Sequence, residues 1–482
     1  MHILNLLKNS QFAAQSQQLN TMNMKKLIFL ILFTIPIPFL LHAQQKPNII
    51  FILADDLGYK DLGCYGNPFI ETPALDEMAN GGMLFTEAYA HPACSPSRAA
   101  LMTGKHPARL EITTALGLDR RDPNSPVIPP KVADELPASE ITMAEVLKRN
   151  GYSTGIVGKW HLGHDAATLP HGQGFDYDRV ISKNGLDFYN YGISSKGETV
   201  FEDDGTVYLT DKLTDYAIEF IQSQQDEKPF FLYLPYSAPH LLIIPKADLV
   251  SKYMFKLSRF EEEYNPYYAT MVESMDQGIG RILDELDQQG MLENTLVVFK
   301  SDNGGVGMDQ IAYRPTSMEP LRKWKGHVYE GGIRVPLILY WKNKIEPGTK
   351  NENYVVIQDF LPTFMELIGD ENLPKDTDGK SFLSTIYDSN QDFERGPVYF
   401  HFPHFSGQNG YPAGAVRDGK WKLVENYETG KTELFNLAED ISESNDLKLK
   451  EPEKAKELYE LFREWQTRVG AKMPERKAGH EY

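Results

Sequence analysis

The stretch Pro47-Asn48-Ile49-Ile50-Phe51-Ile52-Leu53-Ala54-Asp55-Asp56 sets a continuous apolar run directly before two aspartates. A strand with one wet face alternates apolar and polar residues. A run without alternation is buried on both faces, as in a parallel sheet covered by helices. Similar runs recur at Ser153 to Val157, Phe230 to Leu234, Leu296 to Phe299 and Val335 to Tyr340. Helical periodicity lies between them, as at Thr142 to Arg149 and Tyr267 to Gln289. Strands alternating with helices predict an α/β core with a large sheet between helices.

Ligands of open α/β sheets gather outside the carboxyl ends of the strands, so the polar residues that follow each run carry the functional information. The first run ends in Asp55-Asp56, and the second in Gly158-Lys159-Trp160-His161-Leu162-Gly163. The third ends in Ser237-Ala238-Pro239-His240, and the fourth in Ser301-Asp302-Asn303-Gly304-Gly305. Lys159 and His161 are two apart and face the same way if the chain stays extended. Asp55, Asp56, Asp302 and Asn303 form an all-oxygen set suited to a hard cation, Ca²⁺ or Mg²⁺, and unsuited to zinc. Helix capping is the competing use of such aspartates.

The chain has two cysteines in 482 residues, Cys64 and Cys94, which excludes a scaffold held by multiple disulfides. Cys94 opens Cys94-Ser95-Pro96-Ser97-Arg98, where Pro96 suits the first position of a helix that stops at Gly104. Cys94 then sits just before a helix N-terminus, where unpaired N–H groups favour negative charge. Two readings stand here: an activated thiolate and a small buried hydrophobe.

The formal net charge of −18 argues against nucleic acid, which demands clustered cations. Lys25-Lys26, the apolar run Leu27 to Leu41 and His42-Ala43-Gln44 read as a signal peptide, residues 1–43, cleaved near Ala43. The run is short for a membrane span and contains Pro36 and Pro38, so no stable membrane anchor is expected. Residues 1–21 form an upstream extension foreign to a signal peptide, with Met22 or Met24 the more natural start. The expected protein is exported, periplasmic or secreted.

Composition changes at the polar stretch Gly369 to Lys375, which divides the chain into 46–370 and 371–482. Val398 to Phe402, Gly414 to Val416, Trp421 to Val424 and Glu433 to Asn436 predict a small antiparallel sheet. Leu458, Leu461, Phe462 and Trp465 predict the core face of a helix over Pro452 to Val469. His401, His404, Tyr411 and Arg417 lie in this region as candidate sugar contacts, structure being the alternative.

Cys94-Ser95-Pro96-Ser97-Arg98 resembles the Cys-x-Pro-x-Arg signature of the sulfatase family, the formylglycine-dependent branch of the alkaline phosphatase superfamily. Its companions are Pro47-Asn48-Ile49, Gly158-Lys159-Trp160-His161, Ser301-Asp302-Asn303-Gly304 and Lys325-Gly326-His327-Val328-Tyr329-Glu330-Gly331-Gly332. The resemblance implies an alkaline-phosphatase-like α/β fold with a smaller C-terminal α+β domain. It implies oxidation of Cys94 to formylglycine (3-oxoalanine) by a formylglycine-generating or anaerobic sulfatase-maturating enzyme.

By the same resemblance Asp55, Asp56, Asp302, Asn303 and the modified Cys94 bind one Ca²⁺, with Mg²⁺ the lesser alternative. Arg98 and Lys159 hold the formylglycine hydrate, and Lys325 the sulfate oxygens. His240 protonates the leaving alcohol, and His161 takes a proton when sulfate is expelled.

The expected activity is a sulfuric ester hydrolase acting on the ends of sulfated polysaccharide fragments. The identified cations all fall in one site of an acidic chain, which suits a pocket better than a track for a long polyanion. Galactose or N-acetylgalactosamine sulfate is the first substrate the resemblance suggests. Two rival readings are a phosphatase or phosphodiesterase of the same superfamily and a non-catalytic binder of sulfated glycans. The first would place histidine in its metal set, often as Asp-His-Gly where this chain has Asp302-Asn303-Gly304; the second would leave Cys94 unmodified.

Overall fold

The run Asn48–Ala54 forms the fifth strand of a ten-stranded mixed sheet in a computed structural model of the protein. The structure describes residues 46–479 apart from 119, 184–185, 225–227, 261–263, 308–314 and 392. The expected leader, 1–43, lies outside the described residues. No helix among those described is long and apolar enough to cross a membrane.

In spatial order the strands are 349–351, 83–85, 337–340, 295–301, 48–54, 230–235, 153–158, 177–183, 192–195 and 198–202. Residues Ile49 to Ala54 are all fully buried. Ile49, Phe51 and Leu53 enter one core and Ile50, Ile52 and Ala54 the other, so the unbroken apolar run feeds both faces. Each such large side chain contributes roughly 1.5–3 kcal/mol by leaving water.

Register places the functional ends together. Ala54 lies opposite Ser301, and Leu53 opposite Pro235, in parallel pairings. Asn48 fixes that register at the other end of the strand. Its amide donates to Thr295 Oγ1 at 3.3 Å, while its carbonyl accepts from Phe230 N at 3.1 Å.

The expected strand from Val335 begins at Leu337 and runs antiparallel to 295–301. Val335 N bonds instead to Ala88 O, and Pro336 has no N–H for the ladder. Strand 177–183, parallel to 153–158, and strands 192–195 and 198–202, each antiparallel to the one before, extend the other edge, which the helix-strand alternation did not reveal.

Thr142 caps helix Met143–Arg149 through a capping box with Glu145, and Asn265 caps helix Pro266–Gln288. Helix Phe360–Ile368 ends at Gly369, whose φ of 74° closes it in the left-handed region.

The C-terminal sheet is antiparallel, in the order 398–402, 413–418, 421–426 and 432–436. One face packs Val398, Phe400, Phe402 and Ala415 against Tyr89, Val328, Tyr329 and Ile333 of the larger part. The other packs Tyr399, Val416 and Leu423 under Leu458, Phe462 and Trp465 of helix Pro452–Val469.

Burial takes three of the four expected sugar contacts, His401, His404 and Arg417, into packing roles. His401 is buried, with Nδ1 against Tyr427 Oη at 2.8 Å and Nε2 against Lys472 O at 3.0 Å. Arg417 is buried and bonded to Tyr89 and Glu87. His404 is buried with Nε2 on Thr113 Oγ1 at 2.7 Å. Tyr411 is half-buried, its hydroxyl donating to Tyr329 Oη at 3.2 Å. All four join the C-terminal sheet and its loops to surrounding structure.

Burial pushes the His401 imidazole down to about 4, against an opposing pull from its bond to Lys472 O. An unfolded histidine titrates near 6.5 and takes its proton first. The stability His401 contributes is therefore full above about pH 6.5 and lost as pH falls toward 4. In His401→Gln the fall in Tm between pH 7.5 and pH 5, followed by differential scanning fluorimetry, is expected to be smaller than in wild type. An equal fall would remove His401 from the acid response.

Candidate active site

Three of the four strand ends meet the start of helix Cys94–Thr103, all of whose residues are buried, and the fourth joins them through His240 and Asp56. The helix begins at Cys94, two residues before the expected start at Pro96, and stops at Gly104 as expected. Pro96 causes no break there, because the first N–H groups of a helix have no internal acceptor.

Arg98, one turn beyond Cys94, is fully buried and gathers three strand ends. Nε and Nη2 donate to Asp302 Oδ2 at 3.1 and 2.8 Å, and Nη1 to Lys159 O at 2.7 Å. Nη2 also stands 3.4 Å from Asp55 Oδ2.

Lys159 follows Gly158, whose φ of 128° disfavours any other residue. A Cβ there would lie 2.0 Å from Pro235 O, the carbonyl that accepts from Lys159 N at 2.8 Å. Lys159 Nζ reaches Asp55 Oδ2 at 2.5 Å. The extended path expected through His161 is not observed: His161 has φ 59°, and this left-handed turn directs its Nδ1 to 3.3 Å from Cys94 Sγ.

His240 sets Nδ1 on Leu241 O and turns Nε2 toward Asp56 Oδ2 at 3.5 Å. Asp302 Oδ1 accepts from Asp56 N at 3.2 Å, and Asn303 Nδ2 donates to Asp56 Oδ1 at 2.8 Å. Lys325 Nζ meets the same Asp56 oxygen at 2.5 Å. Its loop is held by Lys325 N on Gly305 O and Gly326 N on Pro92 O, at 3.1 and 2.8 Å. All ten predicted catalytic and metal positions thus come together, while His401, His404 and Arg417 are buried in other contacts and the half-buried Tyr411 stands against His327 and Tyr329, just past Lys325.

Sequence reasoning missed the groups that hold these side chains. Ser301 Oγ accepts from Leu57 N at 3.1 Å and donates to Asn303 O at 2.9 Å, locking two ligand-bearing turns together. A serine closing an apolar run was the available signal. Ser95 is also engaged, with Oγ donating to His161 O and accepting from Leu116 N, each at 3.1 Å.

Burial would raise Asp55, but Lys159, His240, Arg98 and Lys325 outweigh it and hold its carboxyl well below the usual range. Burial and the Asp55 charge together push Asp302 well above it, Arg98 opposing. Burial, then Lys159 and Arg98, push His161 down to about 3, leaving a neutral proton acceptor at pH 7. Burial also lowers His240, partly offset by Asp56 and Asp55.

Among the described residues, Asp55 Oδ1, Asp56 Oδ2 and Asn303 Oδ1 are buried without a hydrogen-bond donor. A buried oxygen left unpaired costs about 1–3 kcal/mol, more when charged. Two carboxylate oxygens and one amide oxygen so placed, with Asp302 beside them, fit a hard divalent cation with oxygen ligands. Glu135, His164 and Asp165 also cluster, but His164 and Asp165 are exposed.

Calcium or magnesium added to chelator-treated protein is accordingly expected to raise Tm, since a ligand of the folded state stabilises it by mass action. Asp56→Ala should abolish that rise. An unchanged rise would place the cation elsewhere.

The sulfatase family model matches residues 47–370, and the N-sulphoglucosamine sulphohydrolase C-terminal model matches 323–468. A sulfatase of Formosa agariphila is 32% identical over 90% of this chain and 91% of its own. The N-acetylgalactosamine-6-sulfatase of Rattus norvegicus is 34% identical over 68% of this chain and 63% of its own. The crystal structure of Ps i-CgsB in complex with k-i-k-neocarrahexaose superposes with TM-score 0.75 at 29% identity, covering 87% of this chain and 93% of that one. The phosphonate monoester hydrolase of Agrobacterium radiobacter, at 18% identity and TM-score 0.62, shares the fold. Signature helix, strand-end carboxylates and lysines agree with a family match spanning most of the chain: the protein belongs to the sulfatase family of sulfuric ester hydrolases.

Proposed function

We propose that the protein removes sulfate from sulfated carbohydrates outside the cytoplasm, acting at chain ends or on oligosaccharides, with residue 94 in its formylglycine form. The observation that carries this reading is the setting of Cys94. Its sulfur, standing where a hydroxyl oxygen of the hydrated aldehyde would be, faces the neutral His161 at 3.3 Å. Similarity to the N-acetylgalactosamine-6-sulfatase of Rattus norvegicus supports a sulfated sugar, and the neocarrahexaose bound to Ps i-CgsB supports an oligosaccharide. Galactose or N-acetylgalactosamine sulfate is the first class to test. The apolar segment Leu27 to Leu41 supports export.

Hydrated formylglycine supplies two hydroxyls on one carbon, one to attack sulfur and one to expel sulfate afterwards, which neither a thiol nor a serine can do. Asp55, Asp56, Asp302, Asn303 and residue 94 would hold Ca²⁺, which supplies charge to the sulfate oxygens. Lys325 and Lys159 bring fixed ammonium groups to the same pocket, preorganised by short contacts to Asp56 and Asp55. Arg98 holds the helix that carries residue 94 against Asp302.

His240 fixes its tautomer by donating Nδ1–H to Leu241 O. Once protonated at Nε2, which its Asp56 neighbour favours, it can deliver that proton to the departing alcohol. His161 accepts a proton from residue 94 at Nδ1.

Three measurements test this reading. Mass analysis of the Cys94 peptide from native protein should find the aldehyde, and Cys94→Ala should fold yet release no sulfate above background. Wild-type turnover in that variant would end the formylglycine reading. His240→Ala should slow alkyl sulfates about 10² to 10⁴-fold and aryl sulfates far less, because a phenolate leaves without an acid. Equal losses on both classes would make His240 a sulfate-binding group.

A further inference from the structure

We infer that Ser95 is a positioning residue that sets the His161 imidazole against residue 94, an inference resting on the formylglycine reading of that residue. Ser95 is fully buried in the first turn of helix Cys94–Thr103. A serine at a helix start usually turns its hydroxyl onto the helix's own unpaired N–H groups. This helix has no side-chain cap at Ala93, and Ser95 Oγ is committed outside it. It donates its one proton to His161 O at 3.1 Å and accepts from Leu116 N at 3.1 Å.

The carbonyl it holds belongs to a residue in the left-handed region, with φ 59°. That conformation is uncommon for a residue with a side chain and persists where its surroundings hold it. Two anchors hold it here. Lys159 N is tied to Pro235 O at 2.8 Å on one side, and Ser95 clamps His161 O on the other. With the imidazole's own bond to the backbone of Leu116, the residue whose N–H Ser95 also holds, the result is the 3.3 Å approach of Nδ1 to residue 94.

Residues 94 and 95 are consecutive, so one rigid helical turn fixes both members of the contact. The carrier of the nucleophile also sets the backbone of its proton acceptor. A misplacement of about 1 Å in such a contact costs on the order of 10²-fold in rate.

The test compares Ser95→Ala with wild type, with turnover expressed per converted site because Ser95 lies inside the signature. Conversion is counted by mass analysis of the residue 94 peptide. Expected is a fall in kcat on the order of 10²-fold with KM within about twofold, since Lys159, Lys325 and the cation site are untouched. Ser95→Thr, which keeps the hydroxyl, should rescue kcat.

The second readout needs no activity. In crystals of the unconverted Cys94 protein, Ser95→Ala should show the imidazole displaced from Sγ. Wild-type kcat per converted site, or an imidazole that has not moved, overturns the inference. If Ser95→Ala does not fold, Ser95→Thr and Ser95→Val have the same shape and differ by the hydroxyl, and only the threonine form should keep kcat and the imidazole position. A fully converted wild type without sulfatase activity would defeat the formylglycine reading, and the crystal comparison would still decide the clamp.

Discussion

The buried guanidinium of Arg98 is the interaction on which the site depends. It touches Asp302 and Asp55, which end two neighbouring strands, and Lys159 O, which follows a third. A charge held out of water is costly unless its partners satisfy it, and removal of one partner typically costs 3–5 kcal/mol. The arrangement is therefore self-enforcing: the helix seats only where the strand ends supply oxygens, and the strand ends tolerate their crowded carboxylates only beside the cation. Cys94, one turn earlier on the same helix, inherits its position from that fit.

The strand ends were legible because the sheet turns sequence order into spatial convergence. Apolar runs without alternation announce doubly covered strands, and residues after them must emerge at one edge. Partners set by remote packing were not legible. His401 and Arg417 look like polar residues of a half-exposed antiparallel strand. Their burial comes from Trp465, more than sixty residues later, and from Tyr89, more than three hundred earlier. The antiparallel course of 337–340 is likewise decided by pairing with 295–301 and 83–85. His161 misled for a local reason: spacing of two implies one face only while the backbone stays extended, and its φ does not.

The C-terminal sheet acts as a brace. Lys422 is fully buried between Glu330 and Glu443, each at 2.8 Å, and ties the sheet to the helix just past the Lys325 loop. Ser406 packs against Gly326, where a Cβ would lie 2.3 Å from its Oγ, so the loop carrying Lys325 needs glycine at that point. His404 holds Thr113, three residues before Leu116, whose N–H meets Ser95. Two connections thus run from the small sheet to the site, one ending at Lys325 and the other beside Cys94.

Charge explains why an acidic chain can receive an anionic ester. Asp55, Asp56 and Asp302 oppose Arg98, Lys159 and Lys325, and in formal terms the two sets cancel. The lysines are clamped on the very carboxylates that leave Asp55 Oδ1 and Asp56 Oδ2 without donors. A divalent cation on those oxygens would leave two positive charges in excess within a largely buried site, where they would count for more than on the surface. The net charge of −18 resides outside that pocket. An ester that presents one terminal sulfate to the pocket meets only the local excess, whereas a long polyanion laid across the protein would also meet the repulsion of the whole surface.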